Sequence, residues 1–276
     1  MRSIVLLALT VASACVIDDA VPVTPIAKQS SNSLAENAIS RFAAELNELV
    51  TVPFVDSPIV RAMAASGAGL QLLEYSARCM FAEGATVELD TLHGPQTIPN
   101  ARSLALGPEW KKRGLDEIEQ KALMGCLLAH INATGNAVDI SVRTWTPPGS
   151  PNPIPTTPSE AAEFTYLEGA FYGRPGRLHL ADEVNRTFQL VCYGPALARC
   201  GANAPTIMYN RLCTLGGCDD LAIIGPCEDP IAPAACMPRS GDAYDECYPV
   251  AGAGPSPSAY RAGVITTYLR ELECPI

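Results

Sequence analysis

From about residue 33 to 135 the apolar positions return every three to four residues, and this spacing predicts helices. Ser33 with Glu36 makes a capping box. Behind it Ile39, Phe42, Ala43, Leu46, Leu49 and Val50 fall on one helical face, and Pro53 stops the run. Ser57-Pro58 starts the next helix with proline at the first helical position. Gly67 and Gly69 interrupt that helix, and a second piece continues through Leu73 to Met80. Asp116 with Glu119 is a second capping box, and Ile118, Ala122, Leu123, Cys126, Leu127 and Ile131 are expected to face inward behind it. Gly135 is expected to close this helix as a left-handed cap.

Between and after these helices the period changes. Residues 86–89 and 102–106 suggest two short strands joined by a turn holding Gly94, Pro95 and Pro99. Residues 138–142 suggest another strand. Six prolines (147, 148, 151, 153, 155 and 158) make 146–158 a stiff loop or hinge, which either divides two domains or is inserted within one. Thr157-Pro158-Ser159-Glu160 is a third capping box, and strands are expected over 164–172 and 186–193. Residues 264–269 suit a strand by their β-branched content and a helix by their spacing.

The last third loses periodicity and gains cysteine. Eight cysteines lie from Cys192 onward, among dense glycine and proline. A segment that cannot build enough core is held by cross-links instead. The expected fold class is therefore α+β: a helical N-terminal part packed on a small, mostly antiparallel sheet, with a disulfide-rich irregular C-terminal third. The expected organisation is a signal peptide over 1–14, a tether over 15–32 and a single α+β domain over 33–276. Within that domain 33–145 is mainly helical, 146–158 is the proline-rich loop and 159–276 is the strand- and disulfide-rich part.

The N-terminus predicts export. Met1-Arg2 gives a positive start, and 4–12 is apolar except for Thr10. That run is short of the ~20 residues a spanning helix needs, and it suits the apolar region of a signal peptide. Ala12-Ser13-Ala14 precedes Cys15. Ordinary A-x-A cleavage would leave a free protein beginning at Cys15. The same string resembles the lipobox of bacterial lipoproteins, with Ala12 in place of the usual leucine, and implies a diacylglycerol on Cys15. The count favours the lipid: of 11 cysteines, removal of Cys15 leaves ten, an even number for disulfides. The ten are Cys79, Cys126, Cys192, Cys200, Cys213, Cys218, Cys227, Cys236, Cys247 and Cys274. Cys79 and Cys126, each late in a predicted helix, are expected to join those helices. The other eight allow 105 pairings, among which the sequence does not choose.

Composition narrows the partners. The 276 residues are 48% hydrophobic and 17% charged, which allows a sizeable core, and the net charge of -10 with no basic run argues against nucleic acid. No metal is expected: apart from Cys213 and Cys218 the cysteine spacings are too wide for structural zinc pairs, and there is no C-x-x-C. No phosphate loop is present and no cofactor is implied. The expected partners are the membrane, through lipid on Cys15, and an envelope protein or glycan.

Candidate chemistry is sparse. There is no G-x-S-x-G and no H-E-x-x-H, and the three histidines are His93, His130 and His179. Glu163 and Glu168 are the candidates for paired-carboxylate glycan hydrolysis. Glu168 opens Glu-Gly-Ala-Phe-Tyr-Gly, and the favoured reading of that string is a strand whose small residues let another chain pack closely. His130 is the third weak catalytic candidate.

Several strings together carry a resemblance. They are the lipobox-like start, Leu-Gly-Pro-Glu-Trp at 106–110, Cys-Leu-Leu-Ala-His-Ile-Asn-Ala-Thr-Gly at 126–135, Val-Asp-Ile-Ser-Val-Arg at 138–143 and Glu-Gly-Ala-Phe-Tyr-Gly at 168–173. The chain resembles uncharacterised, cysteine-rich lipoproteins of myxobacteria. The resemblance implies export and this architecture, and it adds no reaction or substrate. The sequence thus predicts an exported, lipid-anchored envelope protein, at the outer membrane or cell surface or otherwise periplasmic or extracellular. It is expected to be a binding or structural module, with an envelope hydrolase acting on glycan or cell-wall material as the alternative.

Overall fold

The computed structural model describes residues 29–32, 34, 38–55, 57–91, 94–99, 103–133, 138–144, 156–175, 189–213, 221–229, 233–237, 239, 241–249, 251–252, 260–261 and 263–271. In chain order these form β1 (Gln29–Asn32), α1 (Ala38–Arg41), α2 (Ala43–Leu49), α3 (Pro58–Ala64), α4 (Gly67–Met80), β2 (Thr86–Thr91) and β3 (Gly94–Pro99). A 3-10 turn (Pro108–Lys111) leads to α5 (Glu117–His130), β4 (Val138–Thr144), α6 (Pro158–Glu163), β5 (Tyr166–Gly173), β6 (Gln189–Tyr193) and α7 (Pro195–Ala198). A second 3-10 turn (Gly201–Asn203) precedes α8 (Ala204–Leu212), β7 (Leu221–Pro226), β8 (Glu246–Cys247), β9 (Tyr260–Arg261) and β10 (Ile265–Leu269).

Six strands form one sheet in the order β1-β4-β10-β5-β6-β7. All neighbours are antiparallel except β6 and β7, which run parallel. The fold is therefore α+β, with helices and a small, mostly antiparallel sheet joined to a cross-linked C-terminal part. Both faces of the sheet are covered. Ile140, Val142, Phe171, Val191 and Ile265 belong to the core under the helices. Ala170, Tyr172, Leu190, Cys192, Val264 and Tyr268 belong to a second core under Cys227, Ala235, Cys236, Tyr244 and Cys247. Successive strand residues point to opposite faces, so two cores on one sheet require nearly continuous apolar strands.

Local signals set most helix starts. Ser57 caps α3 by accepting from the Val60 N–H at 3.2 Å, and Ser66 caps α4 by accepting from the Gly69 N–H at 3.1 Å. Asp116 accepts from the Ile118 and Glu119 N–H groups, and Glu119 reaches back to the Asp116 N–H at 2.8 Å. Thr157 accepts from the Glu160 N–H at 3.1 Å. Ser33, Glu36 and Gly135 lie outside the described residues.

Four expectations need correction. The strand expected at 102–106 is instead a cap: Leu104, Ala105, Leu106 and Gly107 donate to the carbonyls of Arg78, Phe81, Cys79 and Met80. These are the last carbonyls of α4, which have no partner within the helix. Leu104 and Leu106 are buried on either side of Ala105, which resembles strand alternation in sequence, but Ala105 takes a left-handed φ of 55° that no strand residue has. The partner of β2 is Gly94–Pro99, with Val87, Leu89 and Ile98 buried. Pro95 and Pro99 are tolerated because this ribbon has only two strands, so each has a free edge. The helix α5 ends at His130, with Ile131 already extended, rather than at Gly135. Nor does it bury one face only: Lys121 to His130 are all buried, because α5 packs on α4 on one side and on β5 and β10 on the other.

Glycine makes that close approach possible. A Cβ on Gly125 would lie 2.6 Å from the Phe171 carbonyl oxygen and 3.0 Å from that of Gly263. Within β5, a Cβ on Gly169 would lie 2.3 Å from the Cys192 carbonyl oxygen of β6, so the glycine in Glu-Gly-Ala-Phe-Tyr-Gly serves strand packing. The string Leu-Gly-Pro-Glu-Trp also has a structural role. Trp110 is fully buried, donates from its indole nitrogen to the Val52 carbonyl at 3.0 Å and packs on Phe54 at 4.7 Å.

The cross-links tie these layers. Cys79–Cys126 joins α4 to α5, Cys192–Cys227 joins β6 to the end of β7, and Cys236–Cys247 crosses an antiparallel bridge. The last pair is flanked by bonds from Met237 N–H to Glu246 and from Tyr248 N–H to Ala235. It is thus a non-hydrogen-bonded pair, the type in which cross-strand side chains come closest. Cys200 and Cys213 are also disulfide-bonded; Cys15, Cys218 and Cys274 lie outside the described residues. Bonds of this kind persist in oxidising, non-cytoplasmic compartments. No helix among the described residues is long and apolar enough to cross a membrane.

Candidate functional site

Glu168, the first carboxylate singled out by sequence, is 1% exposed in β5. One of its oxygens meets the Arg211 guanidinium, and the other accepts from the Thr267 hydroxyl of β10 at 2.7 Å. Arg211 projects from α8 and also donates to the carbonyls of Ala129 at 2.8 Å and Ile131 at 3.2 Å. Those carbonyls end α5, where the helix dipole is negative. The guanidinium lies 4.9 Å from the centre of the Phe171 ring. Burial pulls the Arg211 pKa down while the Glu168 charge opposes that. A carboxylate with both oxygens engaged in the interior is a structural lock between β5, α5 and α8.

Glu163 occupies a different environment. It ends α6 at the surface and pairs with Arg270 at 3.0 Å, and Arg270 also meets Asp139 at 3.5 Å. One carboxylate is thus buried in an ion pair and the other is solvated on the surface, so they do not face a common space. His130 is 2% exposed, with Nδ1 2.7 Å from the Cys126 carbonyl oxygen. A carbonyl only accepts, so Nδ1 carries the hydrogen. Burial pushes the His130 pKa down to about 4, with the Cys126 carbonyl opposing, so the ring is neutral near pH 7. His93 and His179 lie outside the described residues.

Two clusters have the composition of metal sites: Cys79, Cys126 and His130, and Cys192, Cys236 and Cys247. Metal binding requires thiolates, and each of these sulfurs is committed to a disulfide. In the second cluster two disulfides touch, with Cys192 Sγ 3.4 Å from Cys236 Sγ.

A second polar network underlies an open cleft. Arg143 of β4 is 3% exposed, donates to Ser141 at 3.1 Å and to the Phe164 carbonyl at 3.1 Å, and pairs with Asp242 at 3.3 Å. Ser141 in turn donates to Glu160 at 2.6 Å. The Arg143 guanidinium stacks 3.7 Å from the centre of the Tyr268 ring. The Tyr268 hydroxyl donates to the Asp242 carbonyl at 3.0 Å and accepts from Arg239 at 2.7 Å, and Arg239 pairs with Glu228 at 3.3 Å. Burial first, opposed by the two arginines, raises the Tyr268 pKa, so the phenol stays protonated.

Above this network lies a cleft of about 380 Å³. Tyr166 and Leu167 of β5, Ala196 of α7, Arg199 just after α7, Arg239 and Tyr268 line it. The wall formed by α7 is fixed to β5 by a bond from the Gly194 N–H to the Glu168 carbonyl at 2.6 Å. Tyr166 is 37% exposed, and the Arg199 side chain is exposed with no hydrogen-bond, ion-pair or ring partner among the described residues.

The sequence singled out none of these lining residues. Arg199 stands alone in an alanine-rich stretch, and Tyr166 and Tyr268 look like ordinary strand tyrosines. What joins them is the β5–β10 pairing, 99 residues apart in the chain at the Glu168–Thr267 bond. The helix α8, which carries Arg211, was also missed, although Ala204, Met208 and Leu212 recur every four residues and all three are buried. In the comparisons with known proteins, no family model, no curated protein and no solved structure matches the chain.

Proposed function

We propose that the chain is an exported envelope protein, anchored through lipid on Cys15, that works as a binding module and presents the cleft beside Tyr166 and Arg199 to a component of the cell envelope. The observation that carries this reading is the contrast inside the cleft. Arg239 and Tyr268 are held by partners, while Arg199 has none among the described residues and Tyr166 turns an aromatic surface to solvent. A rigid floor with free recognition groups at its edge suits binding, because few groups need to be ordered when a ligand arrives. The disulfides support a working place outside the cytoplasm.

The test has two parts. Radiolabelled fatty acid should enter the wild-type chain and not the Cys15→Ser variant, and only the wild type should fractionate with membranes. The purified Cys15→Ser protein, with its disulfides intact, should co-sediment with washed envelope material, and Arg199→Ala with Tyr166→Ala should abolish this. Soluble fragments released from that material in a catalytic manner would favour a hydrolase instead.

A further inference from the structure

We infer that the cleft recognises a carboxylate-bearing saccharide, with Arg199 holding the carboxylate and Tyr166 packing on the sugar ring. This inference rests on the cleft being the binding face and names the class of ligand it takes.

Charge is the first argument. Among the described residues three arginines are near the cleft, and two are neutralised within the fold: Arg143 by Asp242 and Arg239 by Glu228. Arg199 lines the cleft with no partner among the described residues, on a chain whose net charge is -10. One spare guanidinium matches one carboxylate, and its planar fork matches the two oxygens in geometry. Polyanions such as nucleic acid need several such charges.

Shape is the second argument. The volume of about 380 Å³ sits at the small end of the ~300–1,000 Å³ range of small-molecule sites. A protein partner would need roughly 800 Å² of surface on each side. The large exposed apolar residues among the described residues are Val55, Val138, Tyr166 and Met237, each on a different segment. Tyr166 is the one that lines the cleft. A half-exposed phenol ring offers a flat apolar face and a polar edge, which suits a pyranose, with its C–H face and hydroxyl rim.

Two sources share this chemistry: hexuronate glycans, and amino sugars carrying a carboxylated ether such as N-acetylmuramate. The experiment separates them. The purified, disulfide-intact Cys15→Ser protein is titrated calorimetrically with a hexuronate trisaccharide, with N-acetylmuramate, with the carboxyl-reduced neutral form of each and with glucose 6-phosphate. One or both carboxylates should bind about tenfold or more tighter than the neutral counterpart, the effect of one charge-assisted hydrogen-bonded pair. Arg199→Ala should erase that preference. Tyr166→Ala should weaken both forms equally and leave the preference intact. Both variants should keep the wild-type melting temperature, since both side chains are exposed.

Equal binding of charged and neutral sugars, or tighter binding of the sugar phosphate, would overturn the inference. If washed envelope material is bound in an Arg199-dependent way but neither carboxylate is, the ligand class is wrong and the binding module stands. If neither envelope material nor any saccharide is bound, both fail together.

Discussion

Arg211 and Glu168 form an ion pair in the interior, and the same guanidinium closes the C-terminal end of α5 through Ala129 and Ile131. The pair therefore couples a strand, the central helix and α8 at one point. This is why the glutamate that looked most like a catalytic acid in sequence is inaccessible to substrate.

Glu168→Gln should lower stability by about 3–5 kcal/mol, because it leaves a buried cation without its counter-charge. Urea unfolding followed by circular dichroism measures this. The double variant Glu168→Leu with Arg211→Met should lose less than the sum of the two single changes, since no charge is then stranded. A Glu168→Gln protein as stable as the wild type would mean that the pair does not lock these elements together.

Stability should fall as pH drops from about 6.5 to about 4. His130 has its folded pKa pushed down to about 4, first by burial, whereas the unfolded chain protonates near 6.5. In that window the unfolded state binds the proton and the folded state does not, so the stabilisation present above 6.5 is lost as pH falls. The loss approaches about 3 kcal/mol and is complete below the folded pKa. Unfolding free energies of wild type and His130→Gln across this range isolate the contribution, and parallel curves would contradict it.

Gly125→Ala should destabilise, although alanine is the better helix former by ~1 kcal/mol. The added methyl would meet the backbone oxygen of Phe171 at 2.6 Å, and a strand carbonyl in a central sheet position has little room to retreat. A net loss of about 1–3 kcal/mol is the expected cost of overpacking. Thermal melting decides the sign; a gain would show that α5 can lift from the sheet.

Two disulfides should differ in worth. Cys79–Cys126 closes 47 residues and Cys236–Cys247 closes 11. In the chain-entropy model the first contributes about 4 kcal/mol and the second about 3 kcal/mol. Paired cysteine-to-alanine variants compared by chemical unfolding should rank them in that order. The reverse ranking would mean that the second core depends on its bridge for more than chain entropy.

Local rules made much of the helical half legible. Ser57, Asp116 and Thr157 mark helix starts because capping is a contact over two or three residues. Residues 102–106 misled because Leu104 and Leu106 alternate as buried strand residues would, while the segment caps the last carbonyls of α4 with Ala105 in the left-handed region. Residues 264–269 were ambiguous because β10 is buried on both sides, with Ile265, Thr266 and Thr267 all inaccessible. A strand between two cores has no polar alternation to announce it.

The cleft was invisible for a different reason. Tyr166, Arg199, Arg239 and Tyr268 come from four separated segments, and their roles depend on which partners the fold gives each one. Sequence by itself determined where the capped helices at Ser57, Asp116 and Thr157 begin, that cysteine would bind the last third together and that no familiar catalytic motif is present, since these follow from neighbours along the chain. Only the tertiary structure decided that Glu168 is a lock and that the Arg199 side chain, without a partner among the described residues, lies beside an open aromatic surface. Pairing and exposure are set by long-range packing across the sheet, and no local pattern encodes which arginines the fold pairs.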